Sequence, residues 1–203
     1  MKEYHKIQSV YKRDPATKHK SFLEGDYSLP EFEYLKNNRW IWTEKVDGTN
    51  IRVAFDGEKV VFGGRTDNAQ LPAPLVARLT ELFSHQYAKY QNLCLYGEGY
   101  GGKIQKAGST YGPNQDFVLF DVWCNGVWLN RIDVEDIAMS LDIDVVPVIG
   151  AGTLTQMVDS ARDGVKSTWG DFIAEGYVAR PETELLTRNG SRVITKVKCR
   201  DFI

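Results

Sequence analysis

The chain has 203 residues, of which 42% are hydrophobic and 12% aromatic, and its formal net charge at pH 7 is −2. This composition excludes a disordered polypeptide, because the chain can bury a sizeable core, and no apolar run approaches the roughly 18 residues of a membrane span. The small net charge excludes a general attraction to nucleic acid, so any such binding must come from a local basic surface.

Short hydrophobic segments separated by tight-turn signals predict a mainly antiparallel arrangement of strands. In chain order, the predicted strands are 40–43, 51–55, 59–62, 93–96, 117–123, 127–129, 175–179 and 192–198. Turns at Asp47-Gly48, Asp56-Gly57 and Asn125-Gly126 connect neighbouring strands. We expect the last two strands to pair across a loop that contains Asn189-Gly190.

Three segments predict helices. Segment 74–90 repeats apolar residues near the helical period, at Leu75, Leu79, Leu82, Phe83 and Tyr87. Segment 133–141 predicts a short helix, and segment 153–162 begins with a capping box, Thr153 with Gln156, and ends before Gly164. The sequence therefore predicts an α+β fold of mainly antiparallel sheets flanked by helices, in a single domain over 1–203.

The N-terminal residues and the cysteines indicate the cellular compartment. The first residues lack the apolar core of a secretory signal. Cys94, Cys124 and Cys199 are far apart and form no Cys-x-x-Cys pair, so we interpret them as thiols in a reducing compartment. The expected location is the cytoplasm. If the protein is phage-encoded, this is the cytoplasm of the host cell. The basic-aromatic stretches Tyr4-His5-Lys6-Ile7 and Tyr11-Lys12-Arg13 touch a polynucleotide or cap the sheet, and we favour the structural role.

The most informative segment is Glu44-Lys45-Val46-Asp47-Gly48-Thr49-Asn50, which places a lysine between a hydrophobic strand and a tight turn. An ordinary lysine is protonated at neutral pH, because its reference pKa is about 10.4. A lysine that is fixed beside other cations loses its proton more easily and can attack phosphorus or carbonyl carbon. The residues alone are also compatible with a β-hairpin whose lysine is solvated.

This segment resembles motif I of the covalent nucleotidyltransferases, which include ATP-dependent DNA ligases, RNA ligases and mRNA capping enzymes. In that superfamily the motif lysine carries a covalent nucleoside monophosphate. Further segments resemble the later motifs in the same chain order: Arg65 in 64–66, Glu98 in 95–99, Phe120 in 118–122, Glu175 in 174–178, and Lys196 with Lys198 in 194–198. The resemblance implies the ligase adenylyltransferase fold, which is ATP-grasp-like.

Two residues of motif I point to different branches. DNA ligases and capping enzymes usually have arginine where this chain has Asn50, and the segment is similar to the nick-sealing phage and editing types of RNA ligase. Those RNA ligases usually have histidine where this chain has Asp47, and aspartate is typical of DNA ligases and capping enzymes. The motif is therefore mixed, and it favours an RNA ligase of the RNA-repair kind.

The resemblance implies an ATP-dependent RNA ligase that transfers AMP to Lys45, then to a 5′-phosphate, and seals the strand with a 3′-hydroxyl. The implied substrate is nicked or broken RNA, including RNA/DNA hybrids, and no membrane is involved. The alternatives are a minimal DNA ligase, a capping guanylyltransferase, and a non-catalytic nucleotide- or RNA-binding module. Because few residues follow Lys198, we expect no appended OB-fold or C-terminal helical domain. The alternatives are that such a module is absent or that a partner protein supplies it on another chain.

Residue chemistry and the resemblance together give the predicted site. The predicted catalytic residues are Lys45, Lys196 and Lys198, the last two facing one side of a strand, where they bind the α-phosphate. The predicted nucleotide-binding residues are Glu44, Lys45, Asn50, Arg65, Glu98, Phe120, Glu175, Lys196 and Lys198. Among these, Arg65 suits phosphate or ribose oxygens, and Phe120 suits the base. Glu98 and Glu175 are also the predicted ligands of Mg²⁺, with Mn²⁺ as the alternative ion.

Two other motifs match the glycine-rich segment around Glu98, but the residues that follow do not support either of them. Segment 97–103 matches a Walker A loop, and 97–102 matches the dinucleotide fingerprint. A Walker loop needs serine or threonine after its lysine, where this chain has Ile104. Both motifs need a helix to begin at the loop, and the sequence that follows is a poor helix former. We expect this loop to contact substrate instead.

Overall fold

The computed structural model describes residues 1–86 and 88–202 and divides into two compact units. The first unit contains Met1–His5 and Asp47–Val146, and the second contains Lys6–Val46 and the chain from Pro147 onwards. Both units combine mainly antiparallel sheets with helices, which confirms the predicted α+β class. The single-domain assignment over 1–203 stays a prediction. Within the described residues, no helix is long and apolar enough to cross a membrane.

The strands are β1 (Gln8–Ser9), β2 (Tyr11–Arg13), β3 (Phe22–Tyr27), β4 (Trp40–Lys45), β5 (Thr49–Asp56), β6 (Val60–Gly63), β7 (Gln91–Gly101), β8 (Gln115–Cys124), β9 (Val127–Trp128), β10 (Val148–Gly152), β11 (Gly176–Pro181) and β12 (Thr195–Lys198). The helices are α1 (Pro30–Leu35), α2 (Ala73–Phe83), α3 (Arg131–Leu141) and α4 (Leu154–Asp163). Single 3-10 turns lie at Pro15–Thr17, Gly108–Thr110 and Cys199–Phe202.

The first unit is built on an antiparallel sheet with the order β6-β5-β7-β8-β9. Alternate residues of the central strands face one side, where they share a core with the apolar faces of α2 and α3. That core includes Ile51, Val53 and Leu95 from the strands. The opposite face of the same strands carries Asn50, Arg52 and Glu98, because their positions alternate with the core residues.

The second unit is built on a sheet with the order β1-β12-β11-β4-β10. Its pairings are antiparallel except for the parallel pairing of β1 with β12. One face packs on α4, and the shared core includes Trp40, Met157 and Val197. The predicted capping box at the start of α4 is confirmed: the Gln156 N–H donates to Thr153 Oγ1 at 3.2 Å, and the Thr153 N–H donates to Gln156 Oε1 at 2.9 Å.

The predicted helix over 74–90 is wrong at its C-terminal end. Helix α2 ends at Phe83, and the Ser84 N–H closes its last turn by donating to the Thr80 carbonyl. The apolar repeat that buries Leu75, Leu79 and Phe83 stops there, and the serine and histidine that follow are weaker helix formers. Tyr87, which the prediction included, lies outside the described residues.

Other boundaries also differ from the prediction. The strand predicted at 93–96 extends over Gln91–Gly101, because β8 pairs with it from Leu93 to Gly101 and Gln91 pairs with Asp56 of β5. Glycine is required within it: a Cβ at Gly97 would lie 2.3 Å from the Phe117 ring. Of the strand predicted at 192–198, only Thr195–Lys198 is strand. The prediction did not include β1, β2, β3, α1 and β10.

Candidate active site

Five of the predicted site residues lie in the second unit, on or next to strands β4, β11 and β12: Glu44, Lys45, Glu175, Lys196 and Lys198. Lys45 is the last residue of β4, and Glu175 immediately precedes β11. Gly176, the first residue of β11, is opposite Lys45 on one side and opposite Lys198 on the other. The sheet register therefore places Glu175 between the ends of the two strands that carry these lysines.

The three side chains form an ion cluster. Lys45 Nζ lies 2.6 Å from one carboxylate oxygen of Glu175, and Lys198 Nζ lies 2.5 Å from the other. The Glu175 side chain is only 8% exposed and each lysine 19%, so water screens these contacts weakly. Burial alone would raise the pKa of Glu175, but the ammonium groups of Lys45 and Lys198 and their hydrogen bonds outweigh it and hold the pKa below its usual value.

The two lysines of β12 share one face of the strand, as predicted from their alternation. Thr195 and Val197 are buried, whereas Lys196 and Lys198 are half-buried. Lys196 lies opposite Val178 on β11 and opposite Ser9 on β1. Lys196 therefore lies on the same face of the sheet as Lys198.

Glu44 makes contacts that its residue type did not predict. Its carboxylate is 1% exposed and accepts hydrogen bonds from Ser167 Oγ at 2.7 Å, the Thr168 N–H at 2.8 Å and Thr168 Oγ1 at 2.9 Å. The Trp169 N–H donates in turn to Ser167 Oγ. Glu44 therefore anchors the loop that precedes β11, and its assignment to nucleotide binding stays a prediction.

In the first unit, the motif-I turn approaches β7 closely. A Cβ at Gly48 would lie 2.2 Å from the Gly99 carbonyl oxygen, so only glycine fits this position. The Asp47 N–H donates to the Tyr111 hydroxyl at 3.2 Å, and Gln105 Nε2 donates to the Gly48 carbonyl at 3.1 Å. The side chains of Tyr111 and Gln105 thus hold the backbone of the turn that follows the lysine.

The remaining predicted residues also lie in the first unit. Asn50 on β5 is opposite Glu98 on β7, and both are half-buried. Within the described residues, the Asn50 Oδ1 atom is buried without a hydrogen-bond partner, and a donor from a ligand or a water would satisfy it. Phe120 is half-buried on β8, and its ring meets Tyr4 edge to face at a centroid distance of 5.1 Å. Arg65 is exposed, just after β6.

Comparison with known proteins decides the family. Residues 38–198, which contain every predicted site residue, match the model of the RNA ligase family. The chain belongs to the RNA ligase family. Solved structures of Naegleria gruberi RNA ligase share its fold. The form with PPi is 19% identical, with a TM-score of 0.71 over 98% of this chain and 56% of that one.

Two substituted forms of the same Naegleria gruberi RNA ligase, each with ATP and Mn, are also similar. One is 17% identical with a TM-score of 0.69 over 98% of this chain, and the other is 21% identical with a TM-score of 0.66 over 83%. These matches cover 56% and 52% of the solved chains. The chain therefore spans about half the length of these solved ligases.

Arg52 is a residue of this RNA ligase family member that the motif comparison missed. Its guanidinium is fully buried on β5 and donates to the Gly64 carbonyl at 2.6 Å and to Asp67 Oδ1 at 2.8 Å. A third nitrogen donates to the Met1 carbonyl at 3.3 Å. The first two bonds bracket Arg65, so Arg52 positions the segment that carries it. An arginine within a strand of apolar residues was the available sequence signal.

Proposed function

We propose that this chain is an ATP-dependent RNA ligase that acts through a covalent AMP on Lys45. The observation that supports this most strongly is the cluster in which Lys45 and Lys198 share the buried carboxylate of Glu175. A solvated hairpin lysine, the alternative for this motif, needs no such environment. The family match over 38–198 supports the same conclusion.

In the first step, Lys45 Nζ attacks the α-phosphorus of ATP, a new N–P bond forms, and the bond to the leaving pyrophosphate breaks. The Lys45 ammonium must first release one proton to solvent, which frees the nitrogen lone pair for the N–P bond. Glu175, whose pKa is lowered, stays anionic and pairs with Lys45 before ATP binds. Because Lys198 shares the same carboxylate, it weakens the hold of Glu175 on Lys45. Lys196 and Lys198 then stabilise negative charge on the α-phosphate.

The residues present fit a hydrated divalent cation. Within the described ranges, no three histidine, cysteine, aspartate or glutamate side chains gather into a metal cluster. Mg²⁺ usually keeps several waters and binds through one or two carboxylates together with substrate phosphates, so a dedicated cluster is not required. Glu98 in the first unit and Glu175 in the second are each a candidate carboxylate ligand, and a cation bound at either would neutralise phosphate charge. At Glu175 it must compete with two ammonium groups.

The first unit supplies the residue types that recognise a nucleoside. Glu98 and Asn50 suit ribose hydroxyls, because they offer acceptor oxygens from adjacent strands. The half-buried ring of Phe120 suits stacking on the base. Arg65, on the segment that Arg52 holds, suits phosphate or ribose oxygens through its planar fork.

The proposed polynucleotide is RNA with a nick. Asn50 in motif I supports the RNA branch, and the 2′-hydroxyl is the group that distinguishes RNA from DNA at a given site. We expect sealing to require ribonucleotides on the strand that supplies the 3′-hydroxyl, while the strand with the 5′-phosphate can be DNA. Asp47 favours the second candidate, a minimal DNA ligase.

A sealing assay separates these candidates. The protein is incubated with ATP and Mg²⁺ on four nicked duplexes, in which each side of the nick is RNA or DNA, and products are resolved on a denaturing gel. We expect sealing whenever the 3′-hydroxyl strand is RNA, and none with the Lys45→Ala control. Sealing of the all-DNA nick at the same rate as the all-RNA nick would replace this proposal with the DNA ligase.

A further inference from the structure

The loop between β7 and β8, residues 102–114, is basic in a chain whose net charge is slightly negative. It carries Lys103 and Lys106, and no aspartate or glutamate lies between Glu98 and Asp116. Both lysines are exposed, as are the hydroxyl residues Ser109 and Thr110. The loop therefore presents two cations and two hydroxyl groups to solvent, without an acidic neighbour in the loop sequence.

The loop has a defined conformation. The Gly102 N–H donates to the Gly112 carbonyl at 2.9 Å and closes the loop across its base. Gly101 has φ +85°, and a Cβ there would lie 2.1 Å from the Asn114 carbonyl oxygen. Ile104 packs against the core of the first unit. These contacts fix the backbone that carries Lys103 and Lys106, so the two charges have set positions.

The loop also binds the turn that follows the proposed nucleophile. Gln105, which lies between the two lysines, donates to the Gly48 carbonyl, and Tyr111 accepts from the Asp47 N–H. Asp47 follows Lys45 by only two residues in the chain. The basic loop is therefore attached to the segment that leads directly from the reacting lysine.

We propose that loop 102–114 binds the phosphodiester backbone of the RNA substrate, through Lys103 and Lys106. This inference rests on the proposed function, because it assigns the polynucleotide of that same reaction to a surface. Lysine and hydroxyl side chains are usual partners of backbone phosphates, and such contacts position the strand without reading its sequence. The exposure of the two lysines suits a polymer that runs across the surface.

The test compares two double variants that remove the same charge. Lys103→Ala/Lys106→Ala changes the loop, and Lys18→Ala/Lys20→Ala changes exposed lysines between β2 and β3. Affinity for a fluorescent nicked RNA duplex is measured by anisotropy over a salt series. Two lost phosphate contacts should reduce the slope of log K against log salt by about 1.4 to 1.8, so the affinity ratio between 50 and 200 mM salt shrinks about 7- to 12-fold.

We expect this change in the loop variant alone, with labelling by α-labelled ATP at the wild-type rate in both variants. Equal slope changes in both would show general charge attraction and overturn the proposal. Loss of labelling with unchanged RNA binding would overturn it too, because the loop would then bind the triphosphate. Lys103→Gln/Lys106→Gln repeats the test if the alanine variant fails to fold.

The same measurements separate this inference from the proposed function. Wild-type protein that binds RNA through the loop but acquires no label with ATP would contradict the ligase proposal and leave the RNA-binding surface supported. Wild-type protein that labels normally but shows the same RNA affinity as the loop variant at every salt concentration would contradict only the surface.

Discussion

Replacing Glu44 by glutamine tests whether this residue is an anchor or a nucleotide ligand. In the structure, the buried carboxylate accepts three hydrogen bonds from Ser167 and Thr168. The amide can keep all three contacts if its oxygen faces Thr168 and its nitrogen donates to the Ser167 hydroxyl. What is lost is the strengthening that a charge gives each bond, about 0.5–1 kcal/mol per bond and about 2 kcal/mol in total.

For a chain of this size, about 2 kcal/mol corresponds to a decrease in melting temperature of roughly 4–8 °C. Thermal unfolding followed by circular dichroism measures it. Glu182→Gln is the matched control, because Glu182 is 58% exposed in a surface pair with Arg39 and should contribute no more than about 1 kcal/mol. Thr168→Val should destabilise the protein too, and its effect should be less than additive with that of Glu44→Gln.

The opposite pattern would refute this reasoning. If Glu44→Gln melts like the wild type but no longer binds ATP, the carboxylate serves the nucleotide and the hydrogen bonds to the loop are incidental. If Glu44→Gln loses both stability and ATP binding in proportion, Glu44 is an anchor, provided that Thr168→Val also loses both.

Alanine at Lys196 or Lys198 should lower the rate of labelling by α-labelled ATP by orders of magnitude. The melting temperature should stay nearly unchanged in Lys196→Ala and fall in Lys198→Ala, which removes one ammonium partner of Glu175; a loss of stability with normal labelling would show that the lysines are structural. Arg52→Met should destabilise the fold by about 2–4 kcal/mol in urea unfolding and raise the KM for ATP, because the segment carrying Arg65 loses its anchor; unchanged values would exclude that role. Because the folded pKa of Glu175 lies below its ordinary 4.5, its stabilisation should be complete above about pH 4.5 and decline as the pH falls further. The stability difference between wild type and Glu175→Gln should therefore shrink in acid, and a difference that grows there would contradict the ion cluster.

Local pattern predicted the elements that carry the site. Short hydrophobic segments beside turn signals marked β4 and, within the predicted strand 192–198, β12. The turn chemistry at Asp47-Gly48 marked the junction with β5. The capping box of α4 is likewise a signal within four residues of sequence. These features depend on neighbours in the chain, which is why they can be read without the fold.

Elements that depend on distant partners were missed. β1 has only two residues, and it exists because it pairs with β12 from the other end of the chain. β10 contains Gly150 and Gly152, weak strand formers that fit because a Cβ at either would meet the Trp42 ring at 3.0 Å or less. No short-range pattern contains this information.

The candidate active site shows the same division between features set by chain neighbours and features set by distant partners. Motif order predicted Lys45, Glu175 and Lys198 as site residues, but only the sheet register shows that one carboxylate lies between the two ammonium groups. The partners of Glu44 lie more than a hundred residues away in the chain, so its anchoring role was hidden. The residue type sets the roles that a side chain can have, and its contacts determine which of these roles it takes.

The most direct test of the central claim is to locate AMP on the protein. The purified chain is incubated with α-labelled ATP and Mg²⁺, denatured in acid, digested and analysed by mass spectrometry, with Lys45→Ala and labelled GTP in parallel. We predict an acid-stable AMP on the peptide that contains Lys45, none in the variant, and little label from GTP. Label that persists in Lys45→Ala, or that comes preferentially from GTP, would contradict an ATP-dependent ligase with Lys45 as its nucleophile.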